Sequence, residues 1–180
     1  MPGFQYANPT DVQRGAPSAV VRIAAEWIVA EWTAAEWTVN MSIEERVPEW
    51  RRLQEASRRA RQAAWAPYSK FQVGAALLTV SGEIITGCNV ENASYGLTIC
   101  AERVAVCSAV AMGHREFTAV CISLTGIPVP CGACRQFMVE FNPQLIVLLD
   151  DASLVAGSEP ELVVLTDLLP RAFRIEHDSR

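Results

Sequence analysis

Short apolar runs alternating with stretches of helical periodicity constrain this chain most. FQVGAALLTV (71–80), a Ser81-Gly82 turn and EIITGCNV (83–90) predict two strands joined in a tight hairpin. TAVCISL (118–124) and LIVLLD (145–150) predict buried strands, because neither run offers a polar face to water. Between them, residues 100–112 and 131–141 carry helical patterns, the first stopped by Gly113. Upstream, Trp50, Leu53, Ala56, Ala60 and Ala63 recur at helical spacing. Proline suits the first helical turn and damages the interior, so that helix is expected to start near Pro48 and end before Pro67. LVVL (162–165) predicts a weaker strand, and TDLLPRAF (166–173) a short helix and tail. Apolar strands alternating with helices imply a layered α/β domain whose sheet is partly parallel.

The first forty residues follow different rules. AEWIVAEWTAAEWTV repeats Ala-Glu-Trp with a period of five, at Trp27, Trp32 and Trp37. Five residues turn a helix by about 140°, and an odd period switches faces in a strand, so neither element buries all three tryptophans together. Residues 1–41 are therefore expected to be a weakly ordered or dispensable extension, and 42–180 the domain that carries the function. A chain starting at Met41 is expected to keep its activity.

Bulk properties exclude several partners. A net charge of −5 argues against a polyanionic ligand. The one basic cluster, RRLQEASRRARQ (51–62), reads as the solvated face of a helix. No stretch approaches the length of about eighteen apolar residues that a membrane span needs. The start lacks the pattern of a secretory signal, so a cytoplasmic setting is expected, with no membrane or nucleic-acid partner. Thiols stay reduced there, and the 6 cysteines then mean metal, catalysis or core.

Two clusters stand out: Cys100-Ala101-Glu102, and Pro130-Cys131-Gly132-Ala133-Cys134. Both lie at predicted helix starts, where the dipole and free N–H groups favour thiolates. A lone C-x-x-C could be redox-active or structural. A third cysteine without a matching fourth suggests a zinc site with one position left for water. Cys107 and Cys121 fit core patterns, and Cys88 is read the same way. His114 and His177 read as exposed bystanders. Glu102 sits too close to Cys100 for both to ligate easily, but it can lean over the open position and move protons. Three thiolates against one Zn2+ call for an offsetting charge, which Arg103 and the two helix starts offer.

These residues resemble the [His/Cys]-x-Glu … Pro-Cys-x-x-Cys signature of zinc-dependent nucleobase deaminases. With NVENASYG upstream, CGACRQ, PYSKFQVGAALL and LLPRAF, the chain from about residue 45 to 175 resembles the small homotetrameric cytidine deaminases. The resemblance implies a three-layer αβα fold around a mixed sheet of about five strands. It also implies one zinc per chain held by Cys100, Cys131 and Cys134, activating water toward C4 of cytosine. Glu102 then carries protons to N3 and to the departing ammonia, in a salvage reaction that yields uridine or deoxyuridine. By the same resemblance Phe71 stacks on the base, Asn89 and Glu91 bind the ribose, and the backbone of Ala101 and Val129 orients the pyrimidine. Phe173 reaches a neighbouring subunit's site.

Four alternatives remain at this stage. A deaminase of a related cytosine nucleoside would share the zinc centre but lack NVENASY. A polynucleotide deaminase would want a basic groove. A zinc-stabilised interaction module would not need Glu102, and a thiol-redox protein would leave Cys100 unexplained.

Overall fold

The computed structural model describes residues 43–155 and 158–175, so the tryptophan-rich leader and His177 lie outside the described residues. The order of elements is α1 (Ile43–Gln62), β1 (Gly74–Thr79), β2 (Ile84–Cys88), a 3-10 turn (Tyr95–Leu97) and α2 (Ala101–Ala111). It continues with β3 (Phe117–Leu124), α3 (Gly132–Val139), β4 (Ile146–Asp151), β5 (Glu161–Val164) and α4 (Leu165–Leu168). The strands form one sheet in the order β2-β1-β3-β4-β5. β3 and β4 run parallel, and the other neighbours are antiparallel.

Side chains alternate across a strand, and here both faces are covered. Ala75 and Leu77 of β1 join Val120, Ile122, Val147 and Leu149 under α2 and α3. Ala76 and Leu78 join Ala119, Cys121, Ile146 and Leu148 under Leu53 and Ala56 of α1. The result is a three-layer αβα arrangement, and it explains why the central strands read as unbroken apolar runs. The hairpin turns at Gly82 with φ 84°, and α2 stops at Gly113 with φ 98°, both in the left-handed region that glycine enters freely.

Several details differ from the sequence reading. α1 begins at Ile43 and runs through Pro48 rather than starting there. Proline removes one hydrogen bond close to an end where the first N–H groups have no helical partner anyway. Cys107 is exposed on α2, not core. The apolar character of α2 exceeds what its buried face needs, so composition alone misplaced it. Cys121 is buried as expected, and burial pushes its thiol up to about 12. Cys88 is half-buried. His114 is half-buried rather than exposed: its Nε2 lies 2.9 Å from Glu83 Oε2, with the side chain 24% exposed.

The basic cluster of α1 is only partly solvated. Arg58 reaches across to Asp150 at the end of β4, donating through Nε at 2.8 Å and Nη2 at 2.7 Å. Gln54 Nε2 at 2.8 Å and Ser123 Oγ at 2.6 Å complete the shell of this carboxylate, which is 2% exposed. Burial alone would raise the Asp150 pKa, but the hydrogen bonds from Arg58, Ser123 and Gln54 and the Arg58 charge hold it below the usual carboxylate range. Arg61 donates to the Gln72 carbonyl and to Thr125 Oγ1, tying α1 to the segments before β1 and after β3.

A pH effect follows. A carboxylate with a depressed folded pKa stabilises fully above its unfolded value of about 3.9 and loses that contribution as pH falls through the lower folded value. Thermal melts are expected to show the parent more stable than Asp150→Asn by about 2 kcal/mol throughout the range above about pH 4, with the gap shrinking progressively as pH falls below it. A constant gap across that range would mean that Asp150 does not act through its charge.

Candidate metal centre and active site

The chain places Cys100 and Cys131 in equivalent local settings. Each is the N-cap of a helix, in extended conformation, Cys100 for α2 and Cys131 for α3. Cys134 follows one turn into α3 and is buried. The sulfurs of Cys100 and Cys131 lie 3.9 Å apart, those of Cys131 and Cys134 3.5 Å, and all three fall within 4.8 Å of one another.

Those distances test the metal directly. Zinc–sulfur bonds of about 2.3 Å in tetrahedral geometry put sulfurs about 3.8 Å apart. Three thiols at such spacing, at two helix N-termini, fit zinc and leave one tetrahedral corner open. Hydrogen bonding with Cys134 is the largest influence pulling the Cys100 thiol down to about 5; burial opposes it, and Arg103 and Cys131 assist. Cys134 moves the other way, because it is the partner that keeps the proton in that bond and it is more deeply enclosed.

Glu102 projects from the first turn of α2 and is 4% exposed. Burial is the largest influence on its pKa and raises it, and the Cys100 charge acts in the same direction. Arg103 Nη2 sits 3.7 Å from Cys100 Sγ and 3.3 Å from the Thr98 carbonyl, so a cation does face the thiols. Its buried Nε has no hydrogen-bond partner.

What presses this helix start against the sheet is Gly87 on β2. A Cβ there would meet the Ala105 nitrogen at 2.4 Å and the Ala101 carbonyl oxygen at 2.5 Å. The sequence reading passed over Gly87, although an isolated glycine inside a strand pattern is the usual signal of a close backbone approach.

The other expected site residues sit on the loops around this cluster. Asn89 is buried, accepting from the Val73 N–H at 2.8 Å and donating to the Phe71 carbonyl at 2.9 Å. One N–H and one lone pair of its amide remain. Glu91 accepts from the backbone N–H groups of Tyr68 and Ser69 and from the Ser69 hydroxyl. The Ser69 hydroxyl leads the interactions that lower its pKa. Ser69 Oγ in turn accepts from the Phe71 N–H at 2.9 Å. Asn89 and Glu91 thus hold the segment carrying Phe71, which follows Lys70 in the left-handed region at φ 60°. A lysine there costs about 1 kcal/mol, and these bonds supply the compensation. Phe71 is 48% exposed, whereas Ala101 is fully buried. Phe173 lies on the C-terminal segment, 70% exposed.

Comparison with known proteins agrees with this geometry. The profile of the cytidine and deoxycytidylate deaminase zinc-binding region matches residues 49–150. The chain belongs to this deaminase family. A cytidine deaminase of Halalkalibacterium halodurans is 46% identical over 122 residues, covering 65% of this chain and 88% of that one. A probable cytidine deaminase of Dictyostelium discoideum is 42% identical over 134 residues, 70% of this chain and 91% of the other. Among solved structures, cytidine deaminase from Burkholderia pseudomallei superposes with TM-score 0.63 at 48% identity, over 68% of this chain and 97% of that one. The deaminase family's zinc-binding region thus spans all three cysteines and Glu102.

Proposed function

We propose that the chain hydrolyses the 4-amino group of cytidine and deoxycytidine, releasing ammonia and leaving uridine or deoxyuridine. The observation that carries this reading is a buried carboxylate, Glu102, beside three thiols at zinc spacing. The 46% identity to a cytidine deaminase adds to it. Zinc bound by Cys100, Cys131 and Cys134 supplies a Lewis acid that lowers the pKa of a water. Glu102 accepts a proton from the attacking water, delivers it to N3, and then serves the departing amino group. Burial raises its pKa, which makes this carboxylate a better proton acceptor than a solvated one. Arg103 offsets part of the thiolate charge.

Phe71 stacks on the pyrimidine and the Ala101 backbone orients it. Asn89 offers its remaining N–H to the ribose, with Glu91 beside it. The protein acts as a homotetramer in the cytoplasm, in pyrimidine salvage, with Phe173 completing a neighbour's site. Exposed Tyr95, Leu97 and Phe173 support such association, since large apolar side chains in the open favour contact with another surface. Among the described residues no helix is long and apolar enough to cross a membrane. Residues 1–41 are dispensable to this reaction.

The test offers cytidine, deoxycytidine and a single-stranded deoxycytidine oligonucleotide to the zinc-loaded protein. Both nucleosides are expected to be deaminated and the oligonucleotide to remain intact. Turnover of the oligonucleotide alone would replace this substrate class with polynucleotide.

A further inference from the structure

The C-terminal segment after α4 is strapped onto α3, the helix that begins at the Cys131 cap. Gln136 Nε2 donates to the Phe173 carbonyl at 2.7 Å, and the Phe173 N–H donates to Gln136 Oε1 at 3.2 Å. A primary amide carries one acceptor and two donors, so it can pair with both polar groups of one residue as a neighbouring strand would. Arg174 Nη2 lies 3.4 Å from the Val139 carbonyl. Arg135 bridges the Pro130 carbonyl, next to Cys131, and the Leu168 carbonyl at 2.7 and 2.8 Å.

The clamp fixes the backbone of Phe173 while its ring is 70% exposed. A tail anchored by its own side chain would bury that ring. Here the anchoring is polar and the apolar group faces outward, an arrangement that displays the ring to something else.

We propose that Gln136 is a positioning residue: through its paired hydrogen bonds it sets the direction in which Phe173 is presented from α3. The inference rests on the reading that Phe173 serves the nucleoside site of a neighbouring copy. Gln136 itself touches neither substrate nor metal. It acts through the tail, so its loss weakens substrate binding and leaves the chemical step alone.

The experiment compares zinc-loaded, full-length parent, Gln136→Ala, Gln136→Glu and Phe173→Ala, reading amide hydrogen exchange at residue 173 alongside KM and kcat for cytidine. In Gln136→Ala, exchange at Phe173 is expected to quicken about tenfold and KM to rise about tenfold, with kcat within about twofold and zinc content unchanged. Gln136→Glu keeps the acceptor for the Phe173 N–H but loses the donor to its carbonyl, and is expected to fall between. Unchanged exchange at Phe173 in Gln136→Ala would overturn the clamp. So would a raised KM in Phe173→Ala that Gln136→Ala fails to reproduce. If Phe173→Ala leaves KM unchanged, the shared-site reading fails and the positioning role fails with it, while accelerated exchange would still mark the hydrogen bonds as real.

Discussion

Glu102→Gln is expected to fold, bind zinc as the parent does, and lose kcat for cytidine by about a thousandfold or more. The substitution keeps the shape of a side chain that is 4% exposed, so packing around the first turn of α2 is preserved. It removes the one function an amide lacks, taking and returning a proton at a single atom. Loss of so much rate with zinc content and circular dichroism unchanged separates a proton carrier from a structural cap. A variant with near-parental kcat would assign the proton transfers elsewhere.

Gly87→Ala is expected to damage the site although it replaces none of the residues assigned to it. The added methyl carbon would stand 2.4 Å from the Ala105 nitrogen and 2.5 Å from the Ala101 carbonyl oxygen. Both are helix backbone and cannot rotate aside, so α2 must retreat from β2 by about 1 Å to reach ordinary contact. Overpacking of this kind costs about 2 kcal/mol, and a shift of about 1 Å at a catalytic group costs about a hundredfold in rate. Ala101 adjoins both Cys100 and Glu102, so the shift reaches a thiol and the carboxylate together. Gly96→Ala is the control: a Cβ there meets nothing within 4 Å, and its stability is expected to stay within about 0.5 kcal/mol of the parent. Denaturant melts and turnover of both variants check the pair, and an unperturbed Gly87→Ala would mean that α2 has slack against the sheet.

Much of this architecture is legible in the sequence because burial on both faces leaves an unmistakable pattern. β1, β3 and β4 have no wet face, so their runs stand out, and the two cysteine clusters lie where helix starts are expected. The features that escaped notice depend on contacts between segments far apart in the chain. Asp150 looks like the polar end of a strand until Arg58, 92 residues earlier, is brought to it. Gly87 looks like a weak point in a strand until α2 lies on it. Cys107 misled in the opposite direction, because an apolar helix predicts burial on average and not for each position. Gln136 gave no local signal at all, since its partner is the backbone of a residue 37 positions away.

The most direct test of the catalytic account strips the protein with a chelator, then titrates zinc back while following cytidine absorbance and bound metal together. Deaminase activity is expected to return in proportion to zinc and to level off at about one ion per chain, while Cys100→Ser regains little of either. Full cytidine turnover by the stripped protein, or one bound zinc per chain with no uridine formed, would contradict it.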